Sequence, residues 1–161
     1  MSEKNVNHIK WMKRAIQLAS LGKGKTSPNP MVGAVILDKN GNIISEGFHY
    51  KAGMPHAEAM AFNNLKKDAT GGTMYVNLEP CCHQGKTPPC VDKVISSGIK
   101  QIYVSIKDPD KRVSGKGIKL LKEAGIQVYL GLCKKESLEL NKAFIYRNIT
   151  DKTFGVLKWA M

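Results

Sequence analysis

Two short stretches of the sequence concentrate side chains that bind metals and move protons. PHAEA (residues 55–59) places His56 two residues before Glu58, and LEPCCHQGKTPPC (residues 78–90) places Cys81 and Cys90 beside prolines. Zinc takes imidazole nitrogen and thiolate sulphur as ligands, and a catalytic zinc keeps one position open for water. We therefore predict that His56, Cys81 and Cys90 hold Zn²⁺ and leave a fourth position free.

Glu58 is the candidate for proton transfer at this centre. Zinc lowers the pKa of a bound water to about 7, and a nearby carboxylate can then carry protons between water and substrate. The order H-x-E followed by P-C-x-x-C is the signature of zinc deaminases, in which the glutamate is not a ligand. H-A-E and Pro80-Cys81 match this signature, whereas the second cysteine follows in a C-x8-C spacing.

Cys82 competes with Cys81 as a ligand. We assign Cys81 because it directly follows Pro80, as the signature requires, and we expect Cys82 to pack close to the site. A structural zinc site would take a fourth protein ligand, from Cys82 or His83, and Glu58 would then be idle. A non-catalytic zinc-binding module therefore stays an alternative. Of the remaining candidates, we expect Cys133 in the core and His8 on the surface.

Composition and charge limit the class of protein. The 161 residues fit one domain, and no apolar run approaches the roughly 18 residues of a membrane span. The N-terminus lacks the apolar core of a signal peptide, so we expect a cytoplasmic protein without a membrane partner. The net charge is +12, but the lysines are scattered and arginines are few. We therefore expect no nucleic-acid partner, and a phosphorylated small substrate would benefit from the positive field.

Apolar periodicity predicts an alternation of helices and strands that would bring these residues together. The order α-β-β-α-β-α-β-α-β-α predicts an α/β fold with helices on both faces of a mixed sheet. His56, Cys81 and Cys90 fall where strands end and helices begin, which is where such sheets place their sites. The predicted helices are 6–21, 56–68, 90–97, 115–123 and 134–147, and the predicted strands are 31–37, 42–49, 73–78, 102–106 and 126–130.

The stretch EPCCHQGKTPPC closely resembles the deaminase domain of the riboflavin-biosynthesis bifunctional deaminase–reductase. TSPNPMVGAVI (26–36), GFHYKAGMPHAEAMA (47–61) and KDPDKRVSGKGIKLLKEAGI (107–126) are similar to further motifs of that family. The resemblance implies a cytidine-deaminase-like three-layer α/β/α sandwich with a mixed five-stranded sheet. It also implies zinc-dependent hydrolytic deamination of 2,5-diamino-6-ribosylamino-4(3H)-pyrimidinone 5′-phosphate, which gives 5-amino-6-ribosylaminouracil 5′-phosphate and ammonia.

The same resemblance implies a set of substrate contacts. One asparagine would bind the base, and one histidine would end the second strand near it. The remaining four side chains would contact the substrate, with Lys86 and Asp110 at its ribose or phosphate. Asp110 and Lys111 stand where the family has asparagine and proline, which puts the contact at Asp110 in doubt. The implied contacts are Asn29, His49, His83, Lys86, Asp108 and Asp110.

Residues 1–150 would form the deaminase domain, and residues 151–161 resemble the first strand of the family's reductase. We expect no reductase activity in this chain and a partnership with a reductase domain or a separate reductase. Self-association into a homo-oligomer is left open. A tRNA adenosine deaminase shares the fold and the zinc chemistry and is the nearest alternative, but the C-x8-C spacing and the scarcity of arginine argue against it.

Overall fold

The computed structural model describes residues 3–83, 88–110, 113–150, 152 and 154–155. Strands and helices alternate along most of this part of the chain. The helices are α1 (Glu3–Ser20), α2 (Ala57–Asn63), α3 (Cys90–Ser96), α4 (Lys116–Glu123), α5 (Lys134–Leu140) and α6 (Lys142–Thr150). The strands are β1 (Gly33–Leu37), β2 (Ile43–Phe48), β3 (Thr73–Leu78), β4 (Gln101–Ile106) and β5 (Gln127–Leu130).

The five strands form one mixed sheet in the order β2-β1-β3-β4-β5. A tight turn joins β1 to β2, so these two strands pair antiparallel, and β1 also pairs antiparallel with β3 on its other side. β3, β4 and β5 run parallel, and a helix crosses between each successive pair, as parallel neighbours require. The carboxyl ends of β3 and β4 therefore lie side by side at one edge.

Helices cover both faces of the sheet. α1 lies against β1 and β3, and α5 lies against β4. On the other face, α2 packs on β1 and β2, α3 packs against α2, and α4 packs against α3. Alternate residues of β1 divide between the two cores, with Val35 packed among α1 residues and Ala34 among α2 and α3 residues. This arrangement confirms the predicted three-layer α/β/α sandwich with a mixed five-stranded sheet.

Glycine lets two backbones approach closely beside the predicted site. A Cβ at Gly47 in β2 would collide with the backbone of α2 at Ala57 and Ala61. A Cβ at Gly117 in α4 would collide with the carbonyl of Pro80. The first approach packs β2 against the helix that follows His56, and the second packs α4 against the residue that precedes Cys81.

Several predicted boundaries differ from the structure, among them those of the second helix, the last helix and the first strand. The second helix ends at Asn63 instead of residue 68, since two consecutive asparagines are weak helix formers and Asn64 leaves the helical conformation. The last helix is divided at Asn141 into α5 and α6. β1 begins at Gly33 instead of residue 31, because side-chain amides occupy the peptide groups of Met31.

The prediction that His8 lies exposed is wrong. Its Nδ1 lies 2.7 Å from the Tyr75 hydroxyl and its Nε2 lies 3.1 Å from the Tyr103 hydroxyl. Tyr75, Tyr103 and Tyr129 form a stacked tyrosine row across β3, β4 and β5, with ring centroids 5.0 and 4.6 Å apart. The row explains the position of His8, since the imidazole of His8 stacks on Tyr103.

None of the helices in the described part of the chain combines the length and the apolar character that crossing a membrane demands. The proposed reductase-like segment, residues 151–161, falls mostly outside the described residues. Its assignment, and that of residues 1–150 as one deaminase domain, stay predictions.

Candidate active site

Three potential metal ligands meet where β3 ends and two helices begin. His56 is the N-cap residue of α2, its backbone is extended, and its side chain forms no capping hydrogen bond with the helix. Cys81 follows β3 by three residues, and Cys90 is the first residue of α3. Pro55 precedes the N-cap residue His56, and Pro89 is itself the N-cap residue of α3. A proline cannot lie in a helix interior without breaking it, so both positions favour the start of a helix.

The ligand atoms of this group face one another. Nδ1 of His56 lies 3.5 Å from Sγ of Cys81 and 3.4 Å from Sγ of Cys90. All three atoms lie within 4.8 Å of one another, and the backbone N–H of Cys90 donates to Sγ of Cys81 at 3.4 Å. One imidazole nitrogen and two sulphurs at this separation fit a borderline-soft divalent cation such as Zn²⁺.

The acidity of the two thiols supports the same conclusion. A hydrogen bond with the Cys90 thiol lowers the pKa of Cys81 to about 4, and the hydrogen bond to His56 adds to this effect. The pairing and the burial of Cys90 raise the pKa of that second thiol. The two pKa values are thus shifted in opposite directions, and a divalent cation is the group that lets both thiols become thiolates.

Glu58 lies buried in the first turn of α2, with 3% of its surface exposed. Burial raises the pKa of its carboxyl to about 7, and the nearby charge of Cys81 adds to the shift. A carboxyl in this setting can take up and release a proton near neutral pH, which is the requirement for a general acid–base group.

Asn29 and His49 form a linked pair on another side of the same cavity. Nδ1 of His49 lies 3.0 Å from the carbonyl oxygen of Pro55, which can only accept, so this nitrogen carries the proton. Nε2 of the neutral ring then accepts from Nδ2 of Asn29 at 3.2 Å. Burial lowers the pKa of His49, which favours this neutral form. The amide of Asn29 is thereby oriented, with its Oδ1 available to a ligand.

Asp108 and Asp110 follow β4 in a loop that is held in place by hydrogen bonds to the buried carboxylate of Glu79. Oδ1 of Asp108 accepts from the backbone N–H of Asp110 at 2.8 Å, and burial raises the pKa of Asp108 to about 6. Glu79 accepts from three backbone N–H groups, those of Asp108 at 3.2 Å, Gly115 at 2.9 Å and Ile118 at 3.1 Å. The Glu79 carboxylate thus ties the end of β3 to the aspartate loop and to the start of α4.

Most of the predicted site residues line one cavity of about 180 Å³. Cys90 completes the ligand group next to it, and Cys82 packs against the core instead of joining that group. Nδ1 of His83 is buried without a hydrogen-bond partner among the described residues. Lys86 lies outside the described residues. The predicted residues that line the cavity are Asn29, His49, His56, Glu58, Cys81, His83, Asp108 and Asp110.

Sequence reasoning missed several residues of this cavity. Glu79 also lines the cavity, and its position directly after a buried strand and before Pro80-Cys81 is a usable signal in the sequence. Phe144 of α6 closes one side, and no local pattern connects it with the site. The remaining unpredicted lining residues are Pro30, Val32, Leu78 and Val113.

Comparison with known proteins gives a family for this fold and site. The family model described as the cytidine and deoxycytidylate deaminase zinc-binding region matches residues 5–106. This match covers more than half of the chain and includes His56, Glu58, Cys81 and Cys90.

The relatives narrow the assignment. The diaminohydroxyphosphoribosylamino-pyrimidine deaminase of Buchnera aphidicola subsp. Schizaphis graminum is 51% identical over 137 residues, which are 85% of this chain and 92% of that protein. The chain therefore belongs to the cytidine and deoxycytidylate deaminase family and, within it, to the diaminohydroxyphosphoribosylaminopyrimidine deaminases. This confirms the resemblance stated from the sequence and makes the chain an enzyme of the deaminase class.

Two longer relatives support the same family assignment. The riboflavin biosynthesis protein RibD of Aquifex aeolicus is 49% identical over 150 residues, and the chain spans 42% of that protein's length. A crystal structure from Thermotoga maritima, a diaminohydroxyphosphoribosylaminopyrimidine deaminase and 5-amino-6-(5-phosphoribosylamino)uracil reductase, superimposes with a TM-score of 0.90 at 42% identity. That match covers 94% of this chain and 44% of the Thermotoga chain, so the similarity concerns one part of a two-activity protein.

Proposed function

We propose that this protein hydrolytically deaminates 2,5-diamino-6-ribosylamino-4(3H)-pyrimidinone 5′-phosphate in a zinc-dependent reaction of riboflavin biosynthesis. The products are 5-amino-6-ribosylaminouracil 5′-phosphate and ammonia. The observation that carries the proposal is a ligand group of His56, Cys81 and Cys90 beside the buried Glu58, in a cavity that polar side chains line. The identity of the substrate is inferred from the names of the relatives.

His56, Cys81 and Cys90 would hold the metal through Nδ1 and the two sulphurs. Zinc in such a site lowers the pKa of a water molecule toward about 7 and so supplies the nucleophile. The Cys90 backbone N–H, which donates to Sγ of Cys81 at 3.4 Å, stabilises the negative charge that a ligand sulphur carries.

Glu58 carries the protons in this reaction. Its carboxyl takes a proton from the attacking water and delivers it to a ring nitrogen of the base. The same carboxyl then takes the second proton of that water, now on a hydroxyl group bonded to the ring carbon, and gives it to the departing amine. The carbon–nitrogen bond breaks, ammonia leaves and the added oxygen becomes the ring carbonyl. One carboxyl can serve both steps because it alternates between base and acid, and its burial keeps bulk water from competing.

The linked pair Asn29 and His49 would bind the pyrimidine. The second N–H of the Asn29 amide and its Oδ1 offer one donor and one acceptor, which suits a base edge. Because His49 fixes the amide through its Nε2, the pair presents a defined pattern before the base arrives.

Asp108, Asp110, His83 and Lys86 would face the ribose and the phosphate. His83 brings a buried, unpartnered Nδ1 to the cavity, and a substrate oxygen is a suitable partner for it. Lys86 would supply a positive charge to the phosphate. Asp108 accepts hydrogen bonds, which suits a ribose hydroxyl group.

We further propose that the deaminase acts in the cytoplasm together with a reductase, either in a longer polypeptide or as a separate protein. The Thermotoga protein, whose description names both activities, supports a link between the two reactions. The freely diffusing substrate of the proposal requires no nucleic acid or membrane partner.

The test is ammonia release from the diaminopyrimidine nucleotide by the purified, zinc-loaded protein, with and without a chelator. We expect release that stops on chelation and returns with zinc. Glu58→Gln should lower kcat by about 10²–10⁴-fold while zinc stays bound, because the carboxyl is lost and its shape is kept. Glu123→Gln is a change of the same type at an exposed position of α4, and it should leave the rate unchanged.

Three outcomes would contradict the proposal. Deamination of tRNA adenosine alone would assign the site to the RNA-modifying alternative. Stoichiometric zinc without ammonia release from either substrate would indicate a non-catalytic zinc module. Full activity in Glu58→Gln would remove the proton-carrying role of that side chain.

A further inference from the structure

We propose that Asn141, at the junction of α5 and α6, is a positioning residue that acts on the substrate through Asn29. The inference rests on the proposed function, in which Asn29 binds the base. It concerns the support of that contact and adds no ligand to the site.

The evidence begins with the peptide groups of Met31. Oδ1 of Asn141 accepts from the N–H of Met31 at 2.8 Å, and its Nδ2 donates to the carbonyl of Met31 at 2.9 Å. The side-chain amide therefore pairs with Met31 as a neighbouring strand would. Asn77 in β3 adds a second donor to the same carbonyl at 3.0 Å and accepts from the N–H of Gly33 at 2.9 Å.

This pairing replaces a backbone ladder that the loop cannot form. Pro28 and Pro30 flank Asn29 and have no N–H to donate, so this segment cannot extend β1 by regular pairing. Asn77 and Asn141 are buried, with 0% and 2% of their surfaces exposed. Buried amides with all partners in place fix geometry strongly, because any displacement leaves a polar group unsatisfied.

Met31 is two residues from Asn29, and the rigid ring of Pro30 lies between them. On the other side, the N–H of Asn29 donates to the carbonyl of Thr26 at 2.8 Å. Asn29 is thus held from both directions, and its amide meets Nε2 of His49 at 3.2 Å. A shift of Met31 would be transmitted to this contact.

The junction between α5 and α6 is where Asn141 lies, and it allows the Asn141 side chain to reach Met31. The backbone at Asn141 departs from the helical conformation, with φ −102° and ψ 17°, although the flanking residues are helical on both sides. The amide at this break hydrogen-bonds to Met31, which lies 110 residues earlier in the chain.

Asn141→Asp is the informative variant. The aspartate keeps an acceptor for the Met31 N–H and loses the donor to the Met31 carbonyl, so the loop is displaced without a large change in volume. Asn148→Asp in α6 is the matched control, because the amide of Asn148 donates to the Phe144 carbonyl within its own helix. Asn141→Leu removes both hydrogen bonds and serves as a stronger perturbation.

A double-mutant cycle on kcat/KM separates positioning from general damage. We expect Asn141→Asp to lower kcat/KM about tenfold, since small misplacements near a reacting group are costly. In an Asn29→Ala background, the same change should cost less than about twofold, because its target is already gone. Asn148→Asp should have little effect in either background, and bound zinc should stay constant throughout. An equal loss in both backgrounds would overturn the inference.

An NMR measurement decides the inference independently of activity. The side-chain amide signal of Asn29 should shift in Asn141→Asp and stay in place in Asn148→Asp. An unchanged Asn29 signal in Asn141→Asp would refute the inference. If the wild-type protein released no ammonia but the Asn29 signal moved as expected, the proposed reaction would fail while the coupling of Asn141 to Asn29 would hold.

Discussion

Two walls of the cavity are built in different ways. The metal wall consists of His56, Glu58, Cys81 and Cys90, and two helix starts and the end of β3 provide its backbone. The loop wall consists of Asn29, Asp108 and Asp110, which stand on irregular segments. Glu58 and Cys90 thus lie in helices, His56 at a helix N-cap and Cys81 shortly after a strand. The residues proposed to hold the substrate lie in loops.

The support of each wall differs accordingly. Helix packing supports the metal wall, as the close approach of α2 to Gly47 shows. The loop wall depends on buried side chains that hydrogen-bond to backbone groups, namely Asn77, Asn141 and Glu79. A motif can therefore mark the first wall completely, whereas the second wall depends on residues outside any motif.

The largest expected effect concerns the metal wall. Cys90→Ser should lose zinc and lower ammonia release by more than the roughly 10–100-fold that changes outside the ligand shell cost. Cys82→Ser is the matched control and should keep its zinc, because Cys82 packs against the core. The zinc content and the initial rate of ammonia release are measured for both variants. Equal zinc loss in the two variants would place Cys82 among the ligands.

A smaller effect is expected for the support of the loop wall. Glu79→Gln replaces a carboxylate that accepts from three backbone N–H groups, so the free energy of unfolding should fall by about 3 kcal/mol. KM should rise while bound zinc stays constant, because the aspartate loop moves and the metal wall does not. Urea unfolding and steady-state kinetics measure these effects. The exposed Glu123→Gln serves as control, and a similar loss there would refute a special role for Glu79.

The smallest effect is a gain in stability. Burial raises the pKa of Asp108 to about 6 from a usual 3.8, so the folded state binds this proton more tightly than the unfolded chain does. The free energy of unfolding that the protonated Asp108 contributes is therefore lost as the pH rises from about 4 to 6. Asp108→Asn should raise the free energy of unfolding at pH 7 by on the order of 2 kcal/mol and change it little at pH 4.

The measurement is urea unfolding of chelated wild type and variant at both pH values, so that metal binding does not contribute. Asp108→Asn should at the same time lower kcat/KM, because the loop wall loses a negatively charged contact. A gain of the same size at pH 4 and pH 7 would show that titration of Asp108 is not its source.

The metal wall and the order of the elements could be predicted from the sequence. Histidine, glutamate and cysteine have few other reasons to occur together beside prolines at helix starts, so residue type and spacing were sufficient to predict that these side chains meet. Their binding of zinc stays a prediction. The three-layer sheet followed from the alternation of apolar patterns. These are local signals, and local signals can be read along a single chain.

The support of the loop wall could not be predicted in this way. Asn141 has an ordinary polar side chain within a helical pattern, and its importance depends on Met31, far away in sequence. His8 was expected at the surface because nothing near it in the sequence indicates the tyrosines that bind it. Lys86 was predicted from resemblance alone, and its role stays a prediction.

The tyrosine row has a practical consequence. Stacked rings in fixed orientations give a near-ultraviolet circular dichroism signal that disappears when tertiary packing is lost. The row lies on the α1 face, opposite the helices that carry His56 and Cys90. It is therefore a built-in optical probe of the sheet, with which damage at the metal centre can be distinguished from unfolding of the domain.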